Sequence, residues 1–326
     1  MATLAATLAA RLGLGPRATA TGEGAAVVDT ARLIAARSLA AAMPDLLVEA
    51  NRVAATVAAG WHGRRRAGSG EAFWQYRPFA NGEPASAVDW RRSARDDQLY
   101  VREREWEAAH TVWLAPDLSP SMDWRSDLAT VTKRDRAVVL TLALADLLAR
   151  AGERVGMPGV MRPITHRRAA ERLAMALAAR TERLAWPEPG EIGRFSELVL
   201  IGDFLDDFDT IETRLTALAG GGARLHLARI HDPAEATLPF LGHLEFRDPE
   251  SGAVVRVPRT ESVKAAWTAR WRAHGAALAD LARRGGWTLV GHATDRAAVE
   301  AALALHASLG GDHHGLPAAK LRGETP

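Results

Sequence analysis

Asp117, Ser119 and Ser121 stand at alternate positions directly after a short apolar run, Thr111 to Ala115. A carboxylate and two hydroxyls on a tight loop suit a hard cation such as Mg²⁺, which takes oxygen ligands and usually keeps several waters. A second carboxylate, Asp203, follows another apolar run, Leu198-Val199-Leu200-Ile201. If both runs are strands of one parallel sheet, both acids emerge at carboxyl ends, where open α/β sheets place their ligands. The first and fourth strands of such sheets are often neighbours, which would turn the two carboxylates toward each other. The same loop also admits a purely structural reading, in which Asp117 and Ser119 only close the turn.

The elements needed to hold these residues are legible along the chain. Thr111 to Ala115 reads as a strand and Arg136 to Arg150 as a helix with Val139, Leu142, Ala143 and Leu147 on one face. Arg154 to Val160 reads as a strand that Pro158 weakens, and Ala169 to Leu184 as a helix. Glu197 to Phe204 is an apolar strand of the buried parallel type. Helix Asp209 to Leu218, strand Ala223 to Ile230, helix Glu261 to Arg283, strand Trp287 to Gly291 and helix Asp295 to Leu309 follow. Leu244 to Phe246 and Val254 to Val257 flank a hairpin signal, Asp248-Pro249-Glu250-Ser251-Gly252. The alternation predicts an α/β fold with a doubly wound, mostly parallel sheet covered on both faces.

Ahead of that domain, residues 1–28 are rich in Ala, Gly and Thr and read as poorly ordered, as does the tail 310–326. Helical spacing from Asp29 carries Leu33, Ile34, Leu39 and Met43, and Pro44 is expected to end or kink that helix. A second helix, with Leu46, Leu47, Ala50, Val53 and Val57 on one side, stops at Gly60. Residues 61–107 form an expected small β-rich module, with strands at Ala72 to Arg77, Val88 to Arg92 and Leu99 to Arg104. The chain thus divides into N-terminal helices with an Arg/Trp-rich β module over 29–110 and the α/β domain over 111–309.

Composition excludes several function classes. The 326 residues suffice for a sizeable core. The absence of Cys rules out disulfides and thiolate ligands and fits a reducing compartment. A net charge of +2 gives no bulk attraction to nucleic acid. The longest apolar run, Ala137 to Ala149, contains Asp146 and is shorter than the roughly 20 residues a bilayer requires. Met1 to Ala10 has no charged n-region, so no secretory leader is read there and the chain is expected in the cytoplasm.

Between Gly60 and Glu107 the nine Arg and eight Asp or Glu nearly cancel. That balance favours an internal Arg–carboxylate network, with Asp89 and Arg95 important for folding, over a phosphate-binding face. Arg64-Arg65-Arg66 is the local basic exception. A partner-docking face is the other reading of this module. His62, His110 and His166 show no metal-ligand spacing and read as hydrogen-bonded or surface residues. The ten Trp read as anchors between elements. No Gly-x-Ser-x-Gly elbow, Walker A sequence or Gly-x-Gly-x-x-Gly turn is present. Without a nucleophile–base pair, the chain is expected not to be an enzyme.

Asp117-Leu118-Ser119-Pro120-Ser121 resembles the metal-ion-dependent adhesion motif of von Willebrand factor A domains. The larger stretch is similar to the family called domain of unknown function 58. Gly70-Glu71-Ala72-Phe73, Tyr76-Arg77-Pro78, Asn81-Gly82-Glu83, Val88-Asp89-Trp90, Ser93-Ala94-Arg95, Leu99-Tyr100-Val101-Arg102-Glu103, Ser119-Pro120-Ser121-Met122 and Gly152-Glu153-Arg154-Val155-Gly156 carry that resemblance. It implies a von Willebrand factor A-like domain in which Asp117, Ser119, Ser121 and Asp203 hold Mg²⁺. It also implies association with an AAA+ ATPase of the MoxR type, in assembly or maturation of protein complexes. Two departures stand out. The Thr ligand such domains usually draw from a Gly-rich loop is missing, since only Thr165 and Thr181 lie in that region, and Gly202 stands where Ser or Thr often precedes the second acid. Many relatives carry membrane helices that this sequence lacks, so a membrane-bound partner is a further expectation. No nucleic acid and no small-molecule substrate are expected. The function expected is that of a non-catalytic adaptor with Mg-dependent docking. A scaffold with a vestigial metal site and a metal-dependent hydrolase are the alternatives.

Overall fold

In the computed structural model the described residues are 24–62, 73–80, 84–95, 98–104, 110–180, 184, 186–249 and 252–310. Arg64 to Arg66, Thr181, residues 1–23 and the tail from 311 lie outside them. The chain forms two compact units. One holds residues up to Ala58 together with those from His110 onward, and the other holds Ala59–Ala109.

The larger unit is built on a six-stranded sheet. Its strands are β3 (Thr111–Pro116), β4 (Arg154–Met157), β5 (Met161–Ile164), β6 (Glu197–Gly202), β7 (Arg224–His231) and β10 (Thr288–Ala293). Their spatial order is β10-β7-β6-β3-β4-β5. All neighbouring pairs are parallel except β4 with β5, which is antiparallel. This is the expected doubly wound, mostly parallel α/β sheet. The single strand expected over Arg154 to Val160 stops at Met157, a turn takes its last three residues, and the antiparallel edge strand β5 follows beyond it. Gly159, at φ 65°, permits the tight reversal that Pro158 begins.

Side chains alternate across the sheet. Val112, Leu114, Val199, Ile201, Ala228 and Ile230 face one core. Leu198, Leu200, Leu225 and Leu227 face the other. The first core is covered by helices α1 (Gly24–His62), α3 (Lys133–Arg150), α4 (Ala169–Ala178) and α8 (Ala298–Gly310), and the second by α5 (Phe208–Gly220) and α7 (Thr260–Gly285). Helix α3 is central, with buried residues on all sides. A short helix α6 (Pro233–Thr237) follows β7, and β8 (Leu244–Arg247) pairs with β9 (Val254–Val257) as the expected hairpin.

Helix α1 differs from the sequence reading, because it runs unbroken through Pro44. A proline inside a helix costs about 3 kcal/mol. Here Met43, Leu46, Ala50, Val53 and Val57 are all buried in the first core, and that burial offsets the loss. The N-terminal helix therefore belongs to the core of the sheet unit. Among the described residues no helix is long and apolar enough to cross a membrane.

In the smaller unit, β1 (Phe73–Pro78) and β2 (Tyr100–Arg104) pair antiparallel, with an irregularity between Phe73 and Gln75. The strand expected over Val88 to Arg92 is absent. Val88 makes a single bridge to Val101, and the chain then turns into the one-turn helix α2 (Trp90–Ser93). Asp89 caps it, accepting from Arg92 N at 3.0 Å, and Ser93 Oγ accepts from Tyr100 N at 2.9 Å. Arg92 lies over the Tyr100 ring at 4.3 Å, while Arg95 is exposed. Replacing Asp89 by alanine is expected to cost about 1 kcal/mol through loss of the cap. Urea denaturation followed by Trp fluorescence would measure it. An unchanged midpoint would remove the cap from the account of this module's stability.

Candidate functional site

β3 delivers Asp117 and β6 delivers Asp203, each just beyond the carboxyl end of adjacent parallel strands. From this pair the chain winds outward in opposite directions, through β4 and β5 on one side and β7 and β10 on the other. The gap between β3 and β6 is therefore the switch point of the sheet, where diverging loops leave a crevice. Asp117 N donates to Ile201 O at 2.7 Å, which extends the ladder by one residue. A Cβ placed on Gly202 would lie 3.0 Å from Asp117 Cβ. Glycine at this position thus lets the two strand ends approach. Gly202→Val is expected to lose about 1–3 kcal/mol by forcing them apart. Wild-type stability of that variant in chemical denaturation would show that the loop has slack.

Beyond Asp117 the chain turns at once. Ser119 N donates to Asp117 Oδ1 at 2.8 Å, and a 3-10 turn, Pro120–Asp123, follows. Met122 is fully buried and anchors the turn in the first core. The Ser119 and Ser121 hydroxyls are 3.0 Å apart, and the charge of Asp203 acts on Asp117 across the strand ends. All four residues singled out in the sequence converge.

Their electrostatics are unequal. Burial, and then the charge of Asp203, push the Asp117 carboxyl up to about 7. Burial is the largest single influence on Asp203 and raises it, but the charge and the hydrogen bond of Lys133 lead the opposing contributions that together hold that carboxyl below the usual range. Lys133 opens helix α3 and is fully buried, with Nζ 2.8 Å from Asp203 Oδ2 and 2.7 Å from Glu235 Oε1. Burial would lower its pKa, yet the two carboxylates drive it upward. A cation in the first turn of a helix opposes the macrodipole, and this ion triad compensates for it.

The triad is itself braced. Glu235 Oε2 accepts from Asp232 N at 2.9 Å, completing a capping box at α6. Asp232 in turn accepts from Ser126 N at 2.8 Å and from the Ser126 hydroxyl. Trp267 of α7 donates from Nε1 to Glu235 O at 2.7 Å and stacks on Phe246 of β8 with ring centroids 6.0 Å apart. Phe246, Leu244, Phe240, Trp124, Pro120 and Ser121 help line a cavity of about 380 Å³ beside the loop.

Lys133, Glu235, Asp232 and Ser126 escaped the sequence reading. Two signals were there: a lysine at the first position of a helix, against its dipole, and Asp232-Pro233-Ala234-Glu235, the spacing of a capping box. The threonine question resolves differently. Ile164 pairs with Val155, so Thr165 follows β5 at the opposite end of the sheet from Asp117 and supplies no ligand there. Thr181 is outside the described residues. His110 N donates to Glu153 and His166 Nδ1 accepts from Arg168 N, both away from the crevice.

For Mg²⁺, the donor set fits in part. Asp117, Ser119 and Ser121 are hard oxygen donors on one turn, and Asp117 is a carboxylate with no cation bonded to it in the described contacts. Asp203 is already engaged by Lys133 Nζ and Leu205 N. Among the described residues no three His, Asp or Glu converge to hold a metal. A cation here would thus rest on Asp117 and the two hydroxyls, with water completing its shell and Asp203 acting by its charge.

Uncharacterized proteins of Mycobacterium tuberculosis and Mycobacterium bovis are each 26% identical to this chain over 250 residues, covering 70% of it and 76% of theirs. Among solved structures, the conserved hypothetical protein BatB of Bacteroides thetaiotaomicron is 17% identical with a TM-score of 0.38. An aerotolerance-related membrane protein of Bacteroides fragilis is 16% identical with a TM-score of 0.39. Each comparison covers 62% of this chain and 99% of the other. The family described as "Protein of unknown function DUF58" matches residues 75–277, a span that takes in Asp117, Ser119, Ser121, Lys133, Asp203 and Glu235. The chain belongs to that DUF58 family.

Proposed function

We propose that this protein is a non-catalytic docking adaptor whose contact with its partner is made through a divalent cation on the Asp117–Ser121 loop. One observation carries the reading. At the switch-point crevice a half-buried carboxylate, Asp117, stands beside two hydroxyls with no cation bonded to it among the described contacts, and burial and the charge of Asp203 push its pKa up to about 7. Mg²⁺ would supply that charge and offer an open position to a carboxylate of the partner. The partner we assign is an AAA+ ATPase of the MoxR type, on the strength of the family resemblance, with the adaptor acting in the cytoplasm or at a membrane-bound partner. The cavity beside Ser121, lined by aromatic and aliphatic side chains together with Asp123, Glu245 and Arg247, would give the contact its specificity. Catalysis is disfavoured because the Ser119 and Ser121 hydroxyls bond each other and take no histidine partner among the described hydrogen bonds.

Lys133 favours a second reading, a scaffold with a vestigial site, because it already provides one positive charge. Co-purification from the native cell with mass spectrometry, in Mg²⁺ and in EDTA, separates the two. Docking predicts a partner retained by the wild type in Mg²⁺ and lost in EDTA or with Asp117→Ala. The same partner in every sample would make the loop structural. Divalent-dependent turnover abolished by Asp117→Ala would move the protein to the hydrolases.

A further inference from the structure

The Lys133 ammonium sits where it competes with any cation for Asp203. It is fully buried, and it bonds Asp203 Oδ2 at 2.8 Å and Glu235 Oε1 at 2.7 Å. No partner can reach it from solvent, so it cannot be a docking group. It also stands at the start of α3, where its charge opposes the helix dipole. Arg229, another buried cation near these acids, lies over the Trp271 ring at 4.2 Å, and its Nε and Nη2 have no hydrogen-bond partner among the described residues. The lysine is therefore the group that ties Asp203 to Glu235.

We propose that Lys133 is a resident counter-ion that keeps Asp203 out of direct contact with a bound cation and thereby holds the loop's divalent affinity low. This inference rests on the docking reading of the same loop. With the lysine in place, Asp203 Oδ2 is taken by Lys133 Nζ, and Oδ1 accepts from Leu205 N at 3.3 Å. With the lysine gone, the carboxylates of Asp203 and Glu235 lose their common cation, and the crevice gains negative charge in a water-poor setting, where a divalent ion is attracted strongly. A weak, exchangeable ion suits a contact that must be made and released, whereas a structural ion would call for the strongest ligand set.

The test is isothermal titration of Mg²⁺ into the full-length wild type, Lys133→Met, and Lys133→Met/Glu235→Gln. The double variant removes one charge of each sign and still frees Asp203, so it remains informative if the single variant unfolds. Circular dichroism checks that each is folded. Both variants are expected to bind Mg²⁺ at least about tenfold more tightly than the wild type, a change of about 1.4 kcal/mol. Equal or weaker binding by the variants, with the wild type still binding, overturns the role of Lys133 and leaves metal-dependent docking standing. Binding by the variants but not by the wild type supports the role of Lys133 and ends the docking reading. No Mg²⁺ heat from any of the three overturns both.

Discussion

Lys133→Met is expected to destabilise the metal-free protein by about 3–5 kcal/mol, because removing one partner of a buried ion pair leaves uncompensated charge behind. Methionine keeps most of the lysine's length and apolar stem, so the loss reports charge more than a cavity. Two carboxylates share this ammonium, and neither Asp203 nor Glu235 has appreciable exposure through which water could replace it. Such a loss is a large part of the 5–15 kcal/mol that holds a typical domain together. Adding Asp203→Asn and Glu235→Gln to Lys133→Met should recover much of it, since an uncharged polar cluster carries no uncompensated charge. Urea denaturation in EDTA measures both steps. If the single variant loses under 1 kcal/mol, the triad is not the electrostatic keystone its geometry describes.

The second large effect is at Asp117. Its carboxyl is raised to about 7 in the folded protein against an ordinary 3.8. The folded state therefore holds a proton that the unfolded chain has released. Stability from this group is fully present below about pH 4 and is lost as pH rises toward about 7, with no further change from it above that. The gap corresponds to at most about 4 kcal/mol. Asp117→Asn is isosteric and cannot ionise. In EDTA at pH 8 it is expected to be more stable than the wild type by a few kcal/mol, an advantage that should build up between pH 4 and 7. The difference between the two proteins isolates Asp117, because burial raises Asp206 but lowers His231, His274, His292 and His306, which act on stability in opposite directions over the same range. Saturating Mg²⁺ should remove most of that advantage. At a hundred times its dissociation constant it would add about 2.7 kcal/mol to the wild type and little to the variant. A difference between wild type and Asp117→Asn that does not change between pH 4 and 7 in EDTA would show that Asp117 is better solvated than its surroundings imply.

How far these features can be read from the chain depends on the range of the interactions behind them. β3, β6 and β7 were legible because each is a short apolar run of the kind that buried parallel strands require. The sequence pairs Asp117 with Asp203 because both follow such strands and the topology does the rest. The continuous α1 was not legible. Pro44 is a local breaker, and only the tertiary burial of Met43, Leu46 and Ala50 overrides it. At Val88 the apolar-polar alternation suggested a strand, but the Asp89 side chain caps a helical turn instead. Lys133 was the hardest to see. Its partners are 70 and 102 residues away, and nothing in its own neighbourhood distinguishes it from a solvated lysine except its place in the first turn of α3.

Those same separations have a kinetic consequence. The ion triad joins the start of α3 to chain segments on the other side of the switch point, so it can form only after the two halves of the sheet have met. Contacts of such long range come late along a folding route, because loop closure must precede them. The triad should then be nearly absent from the transition state. A weakened triad would leave the refolding rate almost untouched and show itself as faster unfolding. In the cell, that makes the charge cluster a determinant of how long a folded molecule survives, and not of how readily a new one is made.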